Sequence, residues 1–103
     1  HVPYPTVYGA LSVANTAAAD TQLSLELIDP GGDGTTFSVY WGPTDGGEQA
    51  ESWQSSAELG ALAAGIHPIA IQNLPTGQSM AARVATEQGL GSFWSEPVVW
   101  TVD

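Results

Sequence analysis

Cysteine is absent from the 103 residues, so the chain can form no disulfide and offers no thiol nucleophile or thiolate metal site. Its stability has to come from packing. Positive charge is almost absent too. Arg83 is the one cation against eleven carboxylates, giving a formal net charge of −10 and a pI near 4.1. Nucleic acid and anionic lipid are held by clustered Lys and Arg, so a surface this negative repels both and argues against nucleic-acid partners. Imidazoles are scarce, with only His1 and His67, and they lack the spacing of a zinc site. No Gly-x-Ser-x-Gly elbow occurs to build a hydrolase around either of them. No apolar run approaches the roughly 20 residues that cross a bilayer, and no basic-then-apolar leader is present, so membrane insertion is not expected. The chain opens on His1, and we expect a piece of a longer precursor with any export signal upstream.

What is present is a globular composition. Hydrophobic residues make up 43%, and the length suits one domain with one core. Residues 1–7 contain HVPYPT, whose two prolines favour an extended lead-in, and the folded domain is expected over 8–103. Beyond that point short alternating runs are separated by Gly, Pro, Asp and Asn, the spacing of an antiparallel sandwich. TQLSLELI puts Leu23, Leu25 and Leu27 on one face, with Gln22, Ser24 and Glu26 on the other. FSVYW sets Phe37, Val39 and Trp41 against Ser38 and Tyr40. Leu11 and Val13 mark a first strand. SSAELGALAAG is rich in helix formers, but Gly60 and Gly65 bracket only four residues, so a short strand near Ala57 to Leu59 and then a loop is expected. Ile69 with Ile71, Met80 with Ala82 and Val84, and Val98 with Trp100 and Val102 complete the inward sets. This predicts an all-β, seven-stranded antiparallel β-sandwich with Leu23, Leu25, Leu27, Val39, Trp41, Ile69, Ile71, Val84 and Trp100 in its core.

The stretch NLPTGQSMAARVATEQGLGSFWSEPVVWTV resembles the second half of a fibronectin type III domain, a relative of the immunoglobulin-like sandwiches. VYWGPTDGG with the downstream Trp53 is similar to a variant of that fold found in large secreted bacterial proteins. Two positions depart from the pattern. Met80 stands where the family places a tyrosine whose hydroxyl bonds to the preceding corner, and Leu25 or Leu27 stands in the region of its second-strand tryptophan. The resemblance implies a domain strung in series with others, termini at opposite ends, in an exported protein that is extracellular or at the cell surface.

Function is less legible than fold. A glycosidase needs two carboxylates across a cleft, and eleven carboxylates permit some pair without selecting one. Calcium could draw on Asp29, Asp33, Asp45 and Glu48 in neighbouring loops, although Asp in such loops commonly caps turns. No metal or cofactor is assigned. Trp53, Trp94 and Tyr40 lie outside the inward sets and are the candidate ligand contacts, because flat rings offer apolar area at low entropy cost. Arg83 is expected to pair with a cross-strand carboxylate. The expected role is a non-catalytic structural spacer or protein-interaction (adhesion) module, contacting adjacent domains and a protein or polysaccharide ligand. The alternative is an accessory carbohydrate-binding module attached to an extracellular enzyme.

Overall fold

The computed structural model describes residues 5–31, 35–88 and 91–103. Eight strand segments follow in order: β1 Val7–Asn15, β2 Thr21–Asp29, β3 Thr36–Gly42, β4 Ser55–Gly60, β5 Gly65–Ile71, β6 Ser79–Gln88, β7 Gly91–Trp94 and β8 Val98–Thr101. A single 3₁₀ turn, Ala50–Ser52, interrupts the connection between β3 and β4. The strands form two antiparallel sheets, β1-β2-β5 and β4-β3-β6, with β7 and β8 both paired to the far side of β6. β1 already includes Val7, so the expected lead-in overlaps the first strand by one residue. Thr6, just before it, is buried and joined to Pro30 and Thr86.

Alternation explains the core. Leu23 and Leu25 have no exposed surface, and with Leu27 and, beside them in the same sheet, Ile69 and Ile71 they cluster with Phe37, Val39, Met80, Ala82, Val84, Trp100 and Val102. Trp41 differs from the expectation: it is half-buried and packs on the margin of this cluster, close to where β3 ends. Met80 is buried, filling with apolar volume the place where the resemblance would put a tyrosine.

The seventh strand is broken, which is why eight segments appear where seven strands were expected. Ala85 pairs with Trp94 and Ala82 with Val98, so Ser95, Glu96 and Pro97 stand opposite only Arg83 and Val84. One residue is extra, as in a β-bulge. Ser95 holds the break together: its backbone N–H donates to Val84 O at 2.8 Å, and its side-chain oxygen accepts from Val84 N–H at 2.9 Å. Pro97, lacking an N–H, falls where no ladder bond is required. An extra residue also reverses the facing of the strand. Trp94 therefore turns outward although Trp100, an even number of residues later, turns into the core.

Candidate functional site

The outer face of β3 carries Thr36, Ser38 and Tyr40. On β6 the same face carries Ala85 and Glu87, and β7 adds Ser92 and Trp94. These positions alternate with the core set, so the strand periodicity that seals the interior also places them together. They floor a groove of about 560 Å³. Glu58 from β4 and the segment Glu48 to Glu51 supply its walls. At its base the Tyr40 and Trp94 rings lie 5.0 Å apart, centroid to centroid, with their planes tilted by 36°. This is within the range of favourable aromatic pairing.

The wall formed by residues 48–51 is held in place by a loop with little freedom. Asp45 accepts a hydrogen bond from Gly47 N–H at 2.9 Å, closing an Asx turn, and Gly47 adopts a positive φ of 71°. Gly46 presses against the chain beyond it. A Cβ there would lie 2.8 Å from Ser52 O and 2.9 Å from Trp53 Cδ1, so only glycine fits without movement. Trp53 closes the far side, its indole N–H donating to Gly47 O at 3.0 Å.

Arg83 clamps the same loop to the bulge. Its Nε and Nη2 donate to the two oxygens of Asp45, each at 3.0 Å, and its Nη1 donates to Ser95 O at 3.2 Å. The side chain is 14% exposed. Its partner is thus a loop carboxylate rather than the cross-strand one expected from the sequence. Tyr40, opposite Arg83 in the ladder, offers no negative charge, and the long side chain reaches past it. The Arg83 hydrogen bonds hold the Asp45 carboxyl below its ordinary pKa, with the Gly47 amide and the Arg83 charge adding to the effect against partial burial. Arg83 is raised in turn by the Asp45 hydrogen bond. Glu48 Oε2 lies 3.9 Å from Arg83 Nη1, a weaker and exposed contact.

The three candidate ring contacts therefore separate. Tyr40 and Trp94 are half-buried and sit together in the groove, whereas Trp53 is 8% exposed and lies behind the loop as its support. Glu58 and Glu87 were not singled out from the sequence, and Glu51 stood out only as a carboxylate of the turn-forming run after Trp41. Their only signal was outward parity or turn position among many carboxylates. Of the calcium candidates, Asp33 lies outside the described residues, Asp29 caps Gly31 N–H at 3.0 Å, and Asp45 is bound to Arg83. Among the described residues no group of three or more His, Cys, Asp or Glu side chains converges as a metal site. His1 is likewise outside the described residues, and His67 Nε2 bonds Ala63 O at 2.6 Å.

No protein-family profile matches the chain, and no curated protein matches it. Solved structures do. One titled "Myokine structure" is similar over 96% of this chain and 98% of its own, with a TM-score of 0.66 and 15% sequence identity. At that identity the likeness shows the fold alone. The molecule is an antiparallel β-sandwich of the fibronectin type III or immunoglobulin-like type. Among the described residues no helix is long and apolar enough to cross a membrane.

Proposed function

We propose that the chain is a non-catalytic spacer and protein-interaction module of a larger exported protein, of the fibronectin type III variant found in large secreted bacterial proteins. The observation that carries this reading is the placement of the groove between Thr6 and Asp103, which lie at opposite poles of the sandwich. Thr6 bonds to Pro30 and Thr86 at one pole of the sandwich. At the other, Asp103 N–H donates to Thr16 O at 2.9 Å, and Thr16 Oγ1 donates to the Asp103 carboxylate at 2.6 Å. β1 runs the distance between them, about 30 Å for nine residues. Neighbouring domains attached at the poles leave the outer face of the five-stranded sheet on the flank and open to a partner. A strongly acidic surface suits a salty exterior, where screening limits self-repulsion.

A second reading is favoured by the Tyr40–Trp94 pair, since partly exposed rings in a groove also stack on sugars. That reading is an accessory carbohydrate-binding module beside an enzyme. Parallel peptide and glycan arrays probed with the chain and with Tyr40→Ala/Trp94→Ala separate the two. Peptide binding lost in the double variant supports the interaction module. Glycan binding lost in the same variant replaces it with the carbohydrate reading, and silence on both arrays removes the interaction half and leaves a spacer.

A further inference from the structure

The charge of the groove narrows the partner. Glu48, Glu51, Glu58 and Glu87 stand around the Tyr40–Trp94 floor, and the lining contains no cation. Arg83, the chain's single positive side chain, is turned to Asp45 and Ser95 and leaves those carboxylates largely uncompensated. A ring face carries negative potential, as a carboxylate does, so the floor and walls favour the same kind of guest. A second copy of this chain brings another net charge of −10 and is repelled. A neutral sugar satisfies the rings but leaves the carboxylates facing one another without a counter-charge.

The dimensions favour an extended chain. Thr36, Ser38 and Tyr40 span four strand steps, about 13 Å at roughly 3.3 Å per residue, the reach of about four residues of extended peptide. In such a segment alternate side chains face the same way. Two cations spaced by one residue can therefore reach the ring pair and the Glu58 and Glu87 carboxylates, which flank β3, together.

We propose that this groove binds an extended segment of a partner protein bearing alternating lysine or arginine, with a cation over Trp94 and Tyr40 and the neighbouring one among the glutamates. The inference rests on the interaction-module reading and adds the chemistry of the partner. Long Lys and Arg stems cover the rings while their charged heads meet the walls. Opposite charge also steers the encounter.

The test is a fluorescence titration with the blocked hexapeptide Lys-Ser-Lys-Ser-Lys-Ser at about 0.15 M salt, where charges beyond roughly 8 Å are screened. Glu-Ser and Gly-Ser hexapeptides and a cello-oligosaccharide serve as comparison ligands. The expected result is binding of the lysine peptide alone, weakened about tenfold by Glu58→Gln/Glu87→Gln and by Trp94→Ala, and less by Trp94→Phe. Asp20→Asn/Glu26→Gln removes the same charge from the other sheet and its leading turn, and is expected to weaken binding about twofold or less. Circular dichroism melts of each variant confirm that it is folded.

Equal weakening by both charge-neutralising pairs would reduce the effect to attraction by net charge and overturn the proposal. So would absence of lysine-peptide binding. Ring-dependent binding of the Gly-Ser or Glu-Ser peptide overturns the cationic partner but keeps the interaction module, whereas ring-dependent binding of the oligosaccharide alone overturns both.

Discussion

Two side chains show how a residue's environment sets its response to pH. Tyr8 donates its hydroxyl hydrogen to Phe93 O at 2.8 Å, and burial pushes its pKa from 10.0 up to about 12. The folded state therefore favours the neutral phenol. Its contribution is fully present below pH 10 and is lost as the pH rises from 10 toward about 12. Because the chain has no lysine, its alkaline limb reports chiefly on tyrosines. Chemical denaturation of the Tyr8→Phe variant across pH 9 to 12 is expected to show a shallower alkaline decline than the parent, from a lower plateau because the hydrogen bond is gone. Asp45 behaves in the opposite sense. Its lowered pKa means that its contribution is present above the ordinary carboxylate range, near about 3.9, and is lost as the pH falls through its own lower value. Asp45→Asn keeps an oxygen for the Gly47 turn but removes the negative charge that pairs with Arg83. We expect a loss of about 1 kcal/mol or less at neutral pH, as for other partly exposed pairs, and a flatter acid limb in urea titrations.

At the scale of elements, the bulge in the last strand decides which tryptophan serves the core and which serves the surface. Uninterrupted alternation from Trp94 to Trp100 would put both on one face, and the extra residue among Ser95, Glu96 and Pro97 divides them. Deleting Glu96 restores two residues opposite two. Either Trp94 must then turn into an already filled core, or Val98, Trp100 and Val102 must leave it. A loss of about 3 kcal/mol or more is expected, on the scale of losing a core tryptophan, together with loss of the Tyr40–Trp94 pair. Thermal melting combined with near-ultraviolet circular dichroism reads both. A second device at this scale is the polar tie at the pole near Thr6. Thr6 donates its hydroxyl hydrogen to Pro30 O, and the one hydrogen of Thr86 is shared between Thr6 Oγ1 at 3.0 Å and Phe93 O at 3.3 Å. These contacts join the residue before β1 to both sheets, and nothing in the local sequence around Thr6 announces them.

For the molecule as a whole, the dominant electrostatic fact is a net charge of −10 on a body of 46 × 26 × 18 Å. Most carboxylates lie closer together than the roughly 30 Å screening length of 0.01 M salt, which shortens to about 8 Å at 0.15 M. Raising the sodium chloride concentration over that interval is expected to raise the melting temperature by several degrees, about 1 kcal/mol for a domain of this size. A calorimetric scan showing no change would mean that the charges are balanced locally, contrary to the shortage of cations. The same measurement on Glu58→Gln/Glu87→Gln should give a smaller salt response and a higher melting temperature at low salt, because groove residues that repel one another are relieved.

Period-two hydrophobicity alone determined the all-β class, the inward residues of β2, β3, β5 and β6 and the outward facing of Tyr40. Each strand face is set by local alternation, and burial of Leu23, Leu25 and Leu27 follows wherever the strand is placed. Composition likewise fixed the shortage of cations and thereby the classes of partner disfavoured. The tertiary structure decided everything that depends on pairing across the chain. It placed Trp53 behind its own loop, gave Arg83 to Asp45 instead of a cross-strand neighbour, and brought Glu48, Glu51, Glu58 and Glu87 around one pair of rings. The Trp53 contact spans six residues, but the Arg83–Asp45 pair and the meeting of the groove glutamates join residues brought together through strand register and a bulge, and neither is written in any local run of residues.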